Sequence, residues 1–196
     1  MGRVKSAFEK AMERAAGFAE LTADEKEMMK ARETMRELLA VFYRGEADRG
    51  GVWAKLRGLG EALLQEAQAQ IIGSLSLLNT PEEFLLRRQG IMQIEALKTN
   101  PRASTVEDLL DAVGDIQQAY VGEKEQIIDE LRKAVESNPQ MRARPVRTAD
   151  GRTVMKATLS VEEALQARLP EFLDEHDRRF TEMFLQVVER LKGQAG

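Results

Sequence analysis

The sequence predicts an all-α protein: an elongated bundle of about six helices, with one short β-hairpin or extended loop between the last two long helices. Two observations support this fold class. Helix-start signals recur along the chain, and apolar residues recur at spacings of three and four between them. Three predicted helices run for roughly 28 to 33 residues, or about 42 to 50 Å if unbroken, which indicates an elongated bundle. With 43% hydrophobic and 32% charged residues, the 196-residue chain has a globular composition. We therefore expect a single helical domain over residues 1–196.

Hydroxyl residues three positions before a carboxylate mark four helix starts, because such a pair forms a capping box. These residues are Thr22, Thr80, Ser104 and Ser160. Stretches rich in Gly, Asn and Pro separate the helices. We expect Pro170 to bend or split the last helix near Gln166, since proline clashes with the carbonyl four residues earlier. A break near Gly58 and Gly60 is an alternative to one continuous third helix. The predicted helices cover residues 3–17, 23–44, 52–79, 81–98, 105–137 and 161–192.

The last two predicted helices each carry one apolar stripe, which indicates that each turns a single side toward the core. The stripe on the earlier helix consists of Val106, Leu110, Val113, Tyr120, Ile127, Leu131 and Ala134. The stripe on the last helix consists of Val161, Leu165, Leu169, Phe172, His176, Phe180, Met183, Val187 and Leu191.

The helix predicted over residues 81–98 differs because its apolar residues surround the whole helix. Either this helix is central to the bundle, or a second chain covers its other side. Long bundles with broad apolar sides commonly close as two-fold dimers. We therefore expect a homodimer, and an intramolecular core position is the alternative. These apolar residues are Phe84, Leu85, Leu86, Ile91, Met92, Ile94 and Leu97.

The composition excludes several kinds of chemistry. The chain contains no cysteine, so it has neither disulfides nor thiolate metal sites, and His176 is its one histidine. It has no Glu-x-x-His motif and no phosphate-binding glycine loop. We expect no catalytic residue, no metal and no resident cofactor, and enzyme activity is the less favoured interpretation. A small-ligand or enzyme site in the bundle core, formed by His176, Tyr120 and Phe180, stays as an alternative.

The segment of residues 139–160 stands out by its charge. Residues 141–156 hold five basic residues against Asp150, a local charge of +4 in a chain whose formal net charge is −4. Asp150-Gly151 favours a two-residue type I′ hairpin turn, which would pair Thr148 with Thr153 and Val146 with Met155. In that register the apolar side would lean on the bundle or on a second subunit, since an isolated hairpin is marginal in water. The other side would present Arg147, Arg152 and Lys156 to solvent.

We interpret this basic segment as a partner-binding element. The alternative is a solvated connector without a binding role, whose arginines pair with nearby acidic residues. An acidic protein surface fits it better than nucleic acid, because the segment has no aromatic side chain for stacking on bases. A nucleic-acid-associated regulator that uses the same segment stays as the second interpretation. The expected partner-binding residues are Arg142, Arg144, Arg147, Arg152 and Lys156.

The sequence suggests a protein that works in the cytoplasm. No apolar run approaches the roughly 20 residues needed to span a membrane, and we expect no membrane partner. The first residues lack the uninterrupted apolar stretch of a secretory signal. The overall prediction is a non-enzymatic helical protein that acts by protein–protein interaction, as an adaptor, an assembly factor or a chaperone-like subunit.

Overall fold

The computed structural model describes residues 22–47 and 51–195, and the chain divides into two compact units, residues 1–63 and 64–196. The all-α class with one hairpin between the last two helices is confirmed. The helix predicted over residues 3–17 lies outside the described residues, and the single domain stays a prediction. The elements are α1 (Ala23–Tyr43), α2 (Val52–Gly58), α3 (Glu61–Gly73), α4 (Pro81–Leu97), α5 (Ala103–Ser137), a 3-10 helix (Pro139–Arg142), β1 (Ala143–Arg147), β2 (Thr153–Ala157) and α6 (Val161–Ala195).

Three of the four predicted helix starts are confirmed. Thr22, Thr80 and Ser160 each form a reciprocal capping box with the glutamate three residues later. The fourth prediction was wrong: α5 begins at Ala103, before Ser104. The backbone N–H of Arg102 donates instead to a carboxylate oxygen of Glu95 at 2.6 Å. A side chain from the preceding helix therefore accepts the backbone N–H of the N-cap residue, and no side-chain cap is found among the described residues.

One expectation about helix continuity was wrong, and another was wrong in part. The segment predicted as one helix over residues 52–79 breaks between α2 and α3, at Gly60, whose φ of +94° ends the first helix. The alternative break near Gly58 and Gly60 was the correct one. Pro170, in contrast, does not split α6. Pro170 and Gln166 are both exposed, so water can satisfy the carbonyl that the proline leaves without a donor.

The first unit contains α1 and α2, which pack through aromatic rings. The rings of Phe42 and Trp53 lie 5.6 Å apart in an edge-to-face arrangement. Gly51, with a φ of +59°, lets the chain enter α2 in a left-handed conformation. The buried apolar side chains of these helices are Met35, Leu38, Leu39, Phe42, Val52 and Leu56.

The second unit is organised around the antiparallel pair α5 and α6. Their direction is evident from the bonds between Tyr120 and Asp177 and between Arg132 and Glu162. Helix α4 lies antiparallel to the first half of α5 and places Phe84 against Gly114. Residues 121–130 of α5, in the far half of the α5–α6 pair, contain no buried side chain. We call residues 121–176 the arm.

The far end of the arm has its own small core. Leu131 and Val135 of α5 pack with Ala164 and Leu165 of α6, and Met141, Leu159, Val161 and Leu169 partly cover them. The Arg168 side chain donates to the Met141 carbonyl, and the Leu159 N–H donates to the Arg142 carbonyl, both at 3.1 Å. These contacts attach the base of the hairpin to the start of α6.

The predicted stripe on the last helix was partly wrong. Phe172 and Met183 are exposed by 48% and 42%, whereas their neighbours Leu173 and Phe184 are buried. Helix α6 carries two adjacent apolar rows, and periodicity alone does not decide which one faces α5. The predicted stripe on α5 agrees better with the structure, since Val106, Leu110, Val113, Tyr120 and Leu131 are buried.

A buried ion pair joins the elements at the base of the second unit. The side chains of Glu95 and Lys98 are 1% and 5% exposed, and Lys98 Nζ lies 2.8 Å from Glu95 Oε2. The amide of Gln68 on α3 donates to the same oxygen at 2.9 Å. Lys98 also donates to the backbone carbonyl of Ala195, at the end of α6. One carboxylate therefore connects α3, α4 and the start of α5, and through Lys98 the end of α6.

The hydrogen bonds that Glu95 accepts lower its pKa by more than its burial raises it. Burial alone raises the pKa of this carboxyl group, because the charged form loses its hydration. The donors on Lys98, Arg102 and Gln68 lower the pKa by stabilising that charged form, and the net pKa lies below the ordinary value. Glu95 is therefore ionised in the folded protein at neutral pH.

The Glu95→Ala substitution is expected to reduce the free energy of unfolding by about 3 to 5 kcal/mol, because it leaves Lys98 as a buried charge without its counterion. The measurement is urea unfolding followed by circular dichroism. Gln89→Ala, at an exposed position of the same helix, is the control and should change this energy by less than about 0.5 kcal/mol. A loss no larger than that of the control would contradict the role assigned to Glu95.

The contribution of Glu95 to stability should depend on pH in one direction. Its pKa is lower in the folded chain than the roughly 4.3 expected in the unfolded chain, so its contribution is full above that value. It is lost as the pH falls through the folded pKa. The difference in unfolding free energy between the wild type and Glu95→Gln should therefore shrink below about pH 4.3. A difference that stays constant from neutral pH to about pH 3 would refute this assignment.

Candidate functional site

The turn of the hairpin has three residues, one more than the sequence suggested. The Thr148 N–H donates to the Arg152 carbonyl at 2.8 Å, and the Gly151 N–H donates to the Thr148 carbonyl at 2.9 Å. Gly151 has a φ of +79°. This arrangement is a type I turn followed by a bulge, in which a left-handed glycine restores the strand direction.

The expected register of the hairpin was therefore wrong by one residue. Arg147 pairs with Thr153, and Val146 pairs with Val154. A shift of one residue moves one strand's side chains to the other side of the hairpin. The basic residues consequently do not share one side: Arg144 and Lys156 face each other across the strands, while Arg147 lies on the opposite side with Met155.

Most apolar residues of the hairpin are not covered by the helices, and the alternative that a second subunit covers them stays a prediction. Every residue of β2 is exposed, including Met155 at 64% and Val154 at 37%. Only Ala143 and Val146 of β1 are half-buried. Both sides of the hairpin therefore expose an apolar residue close to basic residues.

Four of the five predicted partner-binding residues lie on this exposed surface. Arg144, Arg147, Arg152 and Lys156 are exposed, and Arg152 lies 3.7 Å from Asp150 of its own turn. Arg142 differs, because it ends the 3-10 helix and its Nε is buried without a hydrogen-bond acceptor among the described residues. We call Arg144, Arg147, Arg152, Lys156, Val154 and Met155 the hairpin surface.

Two carboxylates near the hairpin surface have lowered pKa values. The backbone N–H and the hydroxyl of Ser160 hold the pKa of Glu163 below its usual value, with a smaller contribution from the charge of Arg144. The Thr148 hydroxyl, which hydrogen-bonds to Asp150, lowers the pKa of that carboxyl group. Both acids are therefore ionised at neutral pH, and they compensate only part of the positive charge.

The three residues of the alternative core site do come together. The ring of His176 stacks on Tyr120 at 5.1 Å and contacts Phe180 at 4.7 Å. The Tyr120 hydroxyl donates to Asp177 at 3.0 Å and accepts from Lys124 at 2.9 Å. The hydrogen bond between Lys124 and Tyr120 is the main cause of the raised pKa of Lys124. Sequence reasoning missed Lys124, although it lies one helical turn after Tyr120.

The chemistry available to His176 is narrow. Oδ1 of Asp177 lies 3.3 Å from Nδ1 of His176, which favours a proton on that nitrogen. The other ring nitrogen, Nε2, is buried without a hydrogen-bond partner among the described residues. In the parts of the chain that the structure describes, no group of three or more His, Cys, Asp or Glu side chains could hold a metal ion.

The depressions beside this cluster are open to the surface. His176 borders one of about 250 Å³, and Phe180 borders another of about 350 Å³. A larger depression of about 950 Å³ lies between α4 and α5 and is bordered by Phe84, Gly114 and Val121. The sequence predicted no site at this place. This depression could not be predicted from the sequence, because its apolar lining residues come from two helices that are separate in the chain.

The described residues include no helix that is both long enough and apolar enough to cross a membrane. No curated protein and no solved structure matches the chain. The model of a family of unknown function, DUF6657, matches residues 56–195, which include α3 to α6 and the whole hairpin. Because this match covers well over half of the sequence, the chain belongs to the DUF6657 family.

Proposed function

We propose that this protein acts without catalysis, by binding another protein through the hairpin surface, as an adaptor, an assembly factor or a chaperone-like subunit. We further propose that it works as a homodimer in the cytoplasm. The observation that carries the proposal is the exposure of Met155 and Val154 beside four exposed basic residues. A short hairpin that leaves its apolar side chains in water gains little from its own packing, so a partner would supply the missing burial.

An acidic partner protein is favoured by the charge of the hairpin surface. Residues 141–156 carry a charge of +4, whereas the rest of the chain carries −8. Helix α5, which leads to the hairpin, has nine acidic and three basic residues. A long nucleic acid that reached the hairpin would also approach this acidic helix and be repelled. Nucleic-acid binding is the second candidate function, and its phosphate contacts would weaken steeply with salt.

The homodimer is supported by the outer side of α4. Ile91 and Ile94 are fully buried, but Leu85 is 54% exposed, and Leu78 just before the helix is 72% exposed. Large apolar side chains in such positions favour pairing with the same surface of a second copy. The alternative of a small-ligand or enzyme site at Tyr120, His176 and Phe180 is less favoured, because these three rings pack directly against one another.

A photo-activated cross-linking residue at Met155 is expected to capture a protein partner in cells of the source organism. The same residue at Leu185, which is 51% exposed on α6, is the matched control and should capture much less. The double substitution Arg147→Glu, Arg152→Glu should abolish the Met155 product, because it reverses the charge that attracts the partner. Arg178→Glu with Arg190→Glu makes the same change in net charge at exposed positions of α6 and should leave the product intact.

Equal cross-linking at the two positions, or a product insensitive to both charge reversals, would argue against the hairpin as the contact element. The nucleic-acid alternative predicts instead a product that contains RNA or DNA. It also predicts binding of a purified duplex that falls by about 10² between 50 and 200 mM salt, the effect of about four phosphate contacts.

Light scattering coupled to size-exclusion chromatography tests the homodimer. The intact protein should elute with twice the chain mass, and Leu85→Glu should elute with the mass of one chain, because a charge would be buried at the interface. Leu185→Glu, with matched exposure on α6, should remain a dimer. If Arg147→Glu with Arg152→Glu separates the chains instead, the hairpin is an assembly element, and the proposal of an outside acidic partner fails. A monomeric intact protein would reject the homodimer.

A further inference from the structure

The two outer edges of the hairpin differ in their ability to accept another strand. The bond from the Thr148 N–H to the Arg152 carbonyl identifies these two residues as a hydrogen-bonded pair. Such pairs alternate along an antiparallel ladder with pairs whose backbone groups point outward. In the observed register, the outward groups belong to residues 143, 145 and 147 of β1 and to residues 153, 155 and 157 of β2.

Proline blocks the outer edge of β1. Pro145 is the middle one of its three outward-pointing residues and has no N–H to donate. Proline at such a position is a common device against unwanted strand pairing. A strand added along β1 would lose its central hydrogen bond, and this edge is therefore closed to regular pairing.

The outer edge of β2 has no such protection. Thr153, Met155 and Ala157 are exposed, and each has an outward N–H and carbonyl. Among the described residues, no backbone hydrogen bond other than those of the hairpin itself reaches these groups. The strand contains no proline, and its one charged residue, Lys156, lies opposite Arg144 in the register. An extended segment could therefore hydrogen-bond to β2 along its length.

The side chains around this edge indicate the chemistry of the segment. Successive residues of an added strand would point alternately to the two sides of the hairpin. On one side the edge strand β2 presents Lys156, with Arg144 behind it on β1, which suits acidic side chains. On the other side β2 itself presents the uncharged Thr153 and Met155, which suit an apolar side chain, and the basic Arg147 lies one strand further from the edge. A second copy of the hairpin fits poorly, because it would bring a charge of +4 against a charge of +4.

We propose that the outer edge of β2 binds an extended acidic segment of a partner protein by strand addition, with acidic and apolar residues alternating along the segment. The inference rests on the proposed function, because it specifies how the hairpin surface contacts its partner. Backbone hydrogen bonds supply the register, and Lys156 with Arg144 supplies the preference for acidic side chains.

The probe is a fluorescent peptide with the sequence Val-Glu-Thr-Glu-Val-Glu-Thr, and its binding to the full-length protein is followed by fluorescence anisotropy. A peptide of the same composition with its glutamates in one block is the first control and should bind more weakly. Met155→Pro should weaken binding of the alternating peptide by about tenfold or more, the effect of losing a backbone hydrogen bond. Met155→Ala keeps the N–H and should change binding by much less.

Two further measurements do not depend on how the proline variant folds. N-methylation of the alternate peptide residues that face β2 should abolish binding, whereas N-methylation of the intervening residues should leave it intact. In the wild type, the bound peptide should slow amide hydrogen exchange at Thr153, Met155 and Ala157, and leave that at Arg147 unchanged.

The outcomes separate this inference from the proposed function. If the peptide binds but both N-methylated forms and Met155→Pro bind equally well, strand addition is refuted and charge attraction at the hairpin surface is retained. If the peptide does not bind, the acidic strand is refuted, while cross-linking at Met155 decides the proposed function independently. Protection of Thr153 and Met155 that rises with protein concentration alone would identify a second copy as the occupant and overturn the acidic partner.

Discussion

The buried carboxylate of Glu95 is the constraint on which the second unit depends. An ionised side chain that is 1% exposed is tolerable only when donors surround it, and here the donors come from Gln68, Lys98 and Arg102. Meeting this requirement brings together α3, α4 and the start of α5, and Lys98 adds the end of α6. Both long helices are therefore fixed at one end of the unit, and from there they extend as a pair.

The arm follows from that arrangement. Two helices that pack only on each other leave most of their side chains in contact with solvent. Residues 121–130 of α5 accordingly contain no buried side chain, and Phe172 of α6 is half-exposed. The small core around Leu131 and Val135 then stabilises the far end, where the hairpin is attached. The hairpin is thus held away from α4, in a position where both of its sides meet solvent. A binding element gains from such a position, because a partner can approach it from either side.

The distribution of charge and the backbone of the hairpin both support the proposed acidic partner. Positive charge is concentrated in residues 141–156, whereas α5 is strongly acidic. This pattern disfavours a polyanion longer than the hairpin and favours a compact acidic segment. Pro145 closes one edge of the hairpin, and β2 leaves the other edge open, so the backbone also restricts how such a segment could bind. The two features are independent, since neither the proline nor the register depends on the basic residues.

Local signals in the sequence determined the helical class, the capping boxes at Thr22, Thr80 and Ser160, and the presence of a hairpin near Gly151, because each depends on residues within a few positions of one another. Tertiary structure decided what depends on distant partners. At the start of α5, Glu95 of the preceding helix accepts the N–H of Arg102, where the sequence had indicated a local cap at Ser104. On α6, Leu173 and Phe184 are buried, whereas Phe172 and Met183 are exposed. The hairpin surface was predictable as a basic segment, but its register was not. The extra turn residue moved Arg147 to the side of Met155, and only the three-dimensional ladder determines that pairing.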